Sequence, residues 1–248
     1  MIPSYPRKIA VLRAIGLGDL VTAMPALEAL RAAYPHAEIV LLGRPLYREL
    51  RAGRPSPVDR VEVVPPMPGI ADRDGPPVTA EVRAEFVQRM RDERFDIVVQ
   101  LHGGGGNSNR LMSEIGGYSA GMRAPGAPPL DAWMPYVYYQ PEILRLLEAV
   151  ALVRARPVTV RPHISVLDSD FAASRAILPE TGWPLAVLHP GASDPRRRWP
   201  AAKVAEVGDA LAEEGLDIAV IDECEDGAAS RVDIWAKTRS RPDAEWPD

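Results

Sequence analysis

Short runs of consecutive apolar residues recur through the first hundred positions: 8–13 (KIAVLR), 38–43 (EIVLLG), 60–65 (RVEVVP) and 95–101 (FDIVVQL). Runs without polar alternation are the pattern of strands covered on both faces, as in parallel sheets. The segments between them carry the helical period instead. Residues 20–33 place Leu20, Met24, Leu27 and Leu30 on one side, and residues 78–94 do the same with Val82, Phe86, Val87 and Met90. Residues 140–155 follow suit with Ile143, Leu146, Leu147 and Val150. Strand-helix-strand order of this kind predicts an α/β fold, a parallel sheet with helices on both faces. Pro25 is expected to kink or restart the first helix. Residues 123–136, rich in proline and glycine, read as a loop.

A second α/β unit begins near residue 161. Residues 168–178 read as a helix with Asp168 as its N-cap, and residues 184–188 (PLAVL) as a strand. Residues 201–214 form a helix with Val204, Val207 and Leu211 on one face, and residues 217–221 (DIAVI) the next strand. Beyond Ile221 the apolar period stops, and no further strand is expected. The predicted organisation is therefore a complete unit over 1–160, a partial one over 161–221, and an irregular tail over 222–248.

Composition narrows the function classes. A formal net charge of -5 argues against a nucleic-acid footprint over the whole chain. The single cysteine, Cys224, excludes an internal disulfide framework. No HExxH and no Cys/His spacing occurs, so no metal site is expected. No apolar stretch has membrane-spanning length, and the start of the chain has no secretory pattern, so a cytoplasmic location is expected.

Three segments follow predicted strand ends, where open parallel sheets bind ligands. In Gly16-Leu17-Gly18-Asp19 the carboxylate reads either as a proton acceptor for a hydroxyl or as a helix N-cap. A dinucleotide fingerprint is disfavoured by Val21, where a third glycine is expected, and by Gly43-Arg44, where an acidic residue is expected. In the segment from His102 through its glycine run to Asn107, an open, mobile loop would wall a sugar or phosphate pocket, with His102 and Asn107 as donors. The other reading is a flexible turn in which His102 only caps the strand. His189-Pro190-Gly191-Ala192-Ser193, followed by Arg196-Arg197-Arg198-Trp199-Pro200, reads as a diphosphate cradle or as a solvated basic turn with Trp199 packed beneath it. Ser193 lacks a nucleophile elbow, against a serine hydrolase.

Together these segments resemble the bacterial heptosyltransferases of glycosyltransferase family 9, which build the lipopolysaccharide core. KIAVLRAIGLGDLVTAMPALEALRAAYPHAEIVLL is similar to the family's opening signature, FDIVVQLHGGGGNSN to its mid-domain strand and glycine loop, and LHPGAS with RRWP to the start of its nucleotide-sugar domain. The resemblance covers residues 7–221. It implies a GT-B-like fold: a complete N-terminal Rossmann-like domain with a parallel sheet, plus here a partial C-terminal Rossmann-like domain. It implies inverting transfer, without metal or cofactor, from an ADP-sugar, typically ADP-heptose, to a lipid-linked glycan acceptor.

By the same resemblance, Asp19 would be the general base. Ser193, Arg197 and Arg198 would contact donor phosphate, and Gly18, His102, Gly103 and Asn107 would contact substrate. Arg197 stands where the family commonly has lysine, and its fork geometry differs from a point charge. The implied partners are small molecules rather than nucleic acid. Any membrane contact would be peripheral, at the inner face of the cytoplasmic membrane, through the lipid acceptor and loops such as 65–77 and 123–136. The family's later Asp-x-Gly-x-x-His donor segment does not occur. The expectation is a truncated or degenerate member, either active or a catalytically inactive remnant that binds a sugar, nucleotide or partner.

Overall fold

A computed structural model describes residues 1–178, 184–192, 195–223 and 232–237. The chain divides into one unit over Met1–Ser165 and a second from Val166.

The first unit is a six-stranded, wholly parallel sheet. Its strands are β1 (Lys8–Leu12), β2 (Glu38–Gly43), β3 (Arg60–Val63), β4 (Ile97–Gln100), β5 (Tyr118–Arg123) and β6 (Ala132–Pro135), in the order β3-β2-β1-β4-β5-β6. The apolar runs are explained by two cores, one on each face. Ile9 and Val11, Ile39 and Leu41, and Ile97 and Val99 face one core. There they meet Leu27 and Leu30 of α1 (Leu17–Ala33) and Leu146 and Val150 of α5 (Glu142–Ala151). The alternate residues Ala10 and Leu12, Val40 and Leu42, and Val98 face the other. They pack on Phe86 and Met90 of α3 (Ala80–Asp92) and on Leu111 and Met112 of α4 (Gly106–Ile115). Each of these side chains larger than alanine contributes about 1.5–3 kcal/mol by leaving water.

Several expectations are corrected. Helix α1 begins at Leu17 and runs through Pro25 without restarting. Pro25 is buried on the packed face, and tertiary packing sustains the helix where local propensity would end it. The proline-rich stretch is not all loop, because β6 pairs with β5 in register Ala120↔Ala132 to Arg123↔Pro135. Pro135 fits there because β6 is an edge strand. Within the first unit, α2 (Pro45–Arg51), α4 and β5 have no counterpart in the sequence reading. The first is only two turns long, and β5 carries Ser119 and Gly121 in place of an apolar run.

The second unit contains α6 (Asp168–Ile177), β7 (Leu185–Leu188), α7 (Ala201–Glu213), β8 (Asp217–Glu223) and β9 (Val232–Lys237). Its α6 is capped at Leu167, not Asp168, and Asp170 accepts the Leu167 N–H at 2.7 Å. Strands β7 and β8 are parallel, the Rossmann-like start that the sequence predicts. The expectation of no strand after Ile221 is corrected: β8 continues to Glu223, and β9 pairs antiparallel with it, Val220↔Trp235. VDIWAK is not an apolar run, so backbone pairing rather than sequence period marks it as a strand. Among the described residues no helix is long and apolar enough to cross a membrane.

Candidate functional site

The strand order reverses direction between β1 and β4, so the loops leaving their carboxyl ends diverge and leave a crevice. A cleft of about 780 Å³ lies at that end of the sheet. Its walls are Ala14 and Ile15 after β1, Arg44 after β2, Gly69 and Asp72 after β3, residues 102–108 after β4, and residues 124–127 after β5.

The glycine run is a fitted helix start, which corrects the expected open, mobile loop. Gly103 and Gly105 have φ of +64° and +91°, the left-handed region that glycine enters without cost, and Gly105 is the N-cap of α4. A Cβ on Gly105 would stand 2.4 Å from Asn109 Nδ2 and 2.7 Å from the Met122 carbonyl oxygen. The Ala124 N–H donates to the Gly104 carbonyl at 2.7 Å. From below, Gln100 Nε2 donates to the carbonyls of His102 and Gly103 and to Ser108 Oγ.

His102 and Asn107 line the cleft, but the ring N–H of His102 and one amide N–H of Asn107, expected to serve a substrate, are committed within the protein. The Ala14 N–H donates to His102 Nδ1 at 3.1 Å, so Nε2 carries the ring proton and donates to the Gly69 carbonyl at 2.9 Å. Burial pushes the His102 pKa below the usual histidine value. Asn107 Nδ2 donates to the Pro68 carbonyl at 2.7 Å. Gly103 contributes backbone to the wall.

Asp19 is not the N-cap, which is Gly16; it is the third residue of α1. Its Oδ2 accepts the Gly16 N–H at 3.0 Å, and its Oδ1 pairs with Arg13 Nη2 at 3.1 Å. The carboxylate is thus oriented from two sides while its side chain stays 39% exposed. Gly18 beside it would meet nothing within 4 Å if it carried a Cβ. Asp19 and Gly18 follow directly on the Ala14–Ile15 wall, although neither lines the cleft itself.

Several residues that hold this corner carried no sequence signal beyond their type. Arg13 stands just past the end of β1 and is buried. Its Nη1 donates to the Leu101 carbonyl at 2.6 Å and its Nε to the Asp19 carbonyl at 3.0 Å. A charged residue closing an apolar run was the one available hint. The Tyr47 hydroxyl donates to the Gly16 carbonyl at 3.0 Å, and burial pushes its pKa up to about 12. Arg44 pairs with Asp74 and donates to the Ile15 carbonyl at 3.2 Å.

In the second unit, Ser193 lies outside the described residues. Arg197 closes a short 3-10 turn, Pro195–Arg197, ahead of α7 and is exposed. Arg198 is exposed too, with Nε donating to the Ala192 carbonyl at 2.7 Å. Trp199 is 55% exposed, against its expected packing role.

No family model matches the chain, and no curated protein matches it. Solved structures do. A glycosyl transferase family 9 protein from Veillonella parvula DSM 2008 is similar at TM-score 0.63 and 19% identity, covering 89% of this chain and 63% of that one. The ADP-heptose lps heptosyltransferase II of E. coli is similar at TM-score 0.60 and 18% identity, covering 86% and 63%. E. coli heptosyltransferase WaaC with ADP is similar at TM-score 0.57 and 16% identity, covering 89% and 68%.

The fold is that of these glycosyltransferases. The chain spans about 63% of the length of the first two. The α/β, Rossmann-like architecture expected from sequence is the one observed.

Proposed function

We propose that this protein is a glycosyltransferase of the heptosyltransferase type. It moves a heptose or related sugar from an ADP-sugar to a lipopolysaccharide-core or related glycan acceptor, with inversion and without a metal. The observation that carries this reading is the doubly held carboxylate of Asp19 at the start of α1, beside a cleft of about 780 Å³, in a fold shared with heptosyltransferases.

In the proposed reaction the acceptor enters from the cleft, and Asp19 accepts the proton of its hydroxyl. The hydroxyl oxygen forms a bond to the anomeric carbon from the face opposite the nucleotide. The bond from that carbon to the diphosphate oxygen breaks, and ADP leaves with the electron pair. Ser193, Arg197 and Arg198 stabilise the charge that develops on the diphosphate. The open space at Gly18 suits a hydroxyl approaching Asp19. With its ring N–H committed to the Gly69 carbonyl, His102 acts by shaping the wall rather than by donating to substrate. A lipid-linked acceptor would bring the protein to the cytoplasmic membrane face peripherally.

The test is turnover of ADP-heptose with a lipid A–Kdo acceptor, wild type against Asp19→Asn. Loss of a general base predicts a fall of about 10²–10⁴ in kcat with the fold intact. Equal nonzero rates would remove Asp19 as the base. Absence of turnover, with ADP-sugar binding retained by calorimetry, would favour the second reading, a sugar or nucleotide binder without catalysis. That reading draws on the same internally committed polar groups.

A further inference from the structure

Two guanidinium groups are buried inside the first unit, Arg13 at 1% exposure and Arg145 at 5%. Neither lines the cleft. A buried cation is unfavourable unless it is paired and hydrogen-bonded. Glu142, the first residue of α5, joins the two: its Oε1 lies 3.0 Å from Arg13 Nη1, and its Oε2 pairs with Arg145 Nη2. The other edge of Arg13 holds Asp19. Charges therefore alternate along one chain of contacts, Asp19, Arg13, Glu142, Arg145. Arg145 closes the far end, donating to the Val137 carbonyl at 2.7 Å and lying 4.4 Å over the Tyr136 ring.

We propose that Glu142 is a positioning residue that sets the orientation and basicity of Asp19 through Arg13, an inference that rests on the reading of Asp19 as the base. The guanidinium of Arg13 is shared between two carboxylates. With Glu142 ionised, Arg13 turns one edge to α5, and its pull on Asp19 is partly balanced. Without that charge, Arg13 has Asp19 as its one carboxylate partner among the described residues, and Asp19 holds its proton less well. A weaker base is a poorer acceptor for the hydroxyl proton.

The other charged or titratable groups around this corner come from every neighbouring element. They are the Tyr47 hydroxyl from α2, Arg44 with Asp74 beyond β2, His102 beyond β4, and Tyr136 beyond β6. None of them is an anion in contact with Arg13. Glu142 is 29% exposed, so its replacement does not open the core.

The experiment is a carboxyl-carbon NMR titration of the full chain, following Asp19 in wild type, Glu142→Gln and Glu142→Asp. The Asp19 midpoint is expected to fall by about half a unit or more in Glu142→Gln and to recover in Glu142→Asp. A midpoint in a folded Glu142→Gln variant indistinguishable from wild type would overturn the proposal. Should that variant not fold, the wild-type titration decides. A second inflection of the Asp19 signal as Glu142 titrates supports the coupling, and its absence overturns it. Where turnover is measurable, the acid limb of the kcat profile moves to lower pH in Glu142→Gln while KM holds. An Asp19 titration that responds to Glu142 in a chain without turnover supports the coupling and refutes the transferase. Turnover that depends on Asp19 but a titration blind to Glu142 does the reverse.

Discussion

His102 shows how a single half-buried residue ties pH to stability. Its Nδ1 accepts the Ala14 N–H, which an imidazolium cannot do. Burial lowers its pKa in the folded state, so below the ordinary histidine value the unfolded chain takes up a proton that the folded chain refuses. Stability from this residue is complete above that value and is lost as pH falls through it. Thermal melts between about pH 7 and 5.5 should show a decline of at most about 1.4 kcal/mol per pH unit, flattened in His102→Gln. Gly105 is the complementary case, where a side chain has no room. Gly105→Ala combines a left-handed φ with contact on the Met122 carbonyl and is expected to cost about 2–4 kcal/mol in urea unfolding.

Among the elements, the two ends of the sheet do different work. At the amino end, Lys8 of β1, Glu38 of β2, Arg60 of β3 and Glu93 after α3 form a linked set of ion pairs. The hydrogen bond from Lys8 holds Glu93 below the usual carboxylate range. These side chains are all partly solvated, which limits what the pairs contribute. Glu93→Gln is expected to cost under about 1 kcal/mol and to leave any transferase rate unchanged, as kinetic assays on the purified variant would show. At the carboxyl end the cations are held more deeply, Arg13 and Arg145 both being buried. Arg13 ties β1, the chain after β4, α1 and α5 through one guanidinium. That difference in burial is why a conservative change is expected to be tolerated at one end of the strands and to alter chemistry at the other.

At the scale of the molecule, both core layers are complete within the first unit, between Ile9 and Ala155. Residues 1–165 expressed alone are therefore expected to unfold cooperatively, with the fluorescence and circular dichroism transitions coinciding. A broad, non-coincident transition would show that the second unit is needed for the first to fold. If the donor is held by residues of the second unit, as the transferase reading requires, the 1–165 fragment binds no ADP in calorimetry.

The strands β1, β2 and β4 and the helices α1, α3 and α5 were legible in the residues because burial on two faces leaves an unbroken apolar run and burial on one face leaves a helical period. The same logic failed at α2, α4, β5 and β6, which are too short or too rich in glycine, serine and proline to carry either period. Asp19 and His102 were legible as positions, since each lies just beyond a strand and next to glycine. Their roles were not. His102 is occupied because Gly69 lies beside it, and Asp19 is held by an arginine whose other partner, Glu142, comes from a helix far along the chain. Periodicity records which faces are covered, a property of neighbours in sequence. Which charges meet depends on the strand order, and only the folded sheet decides that.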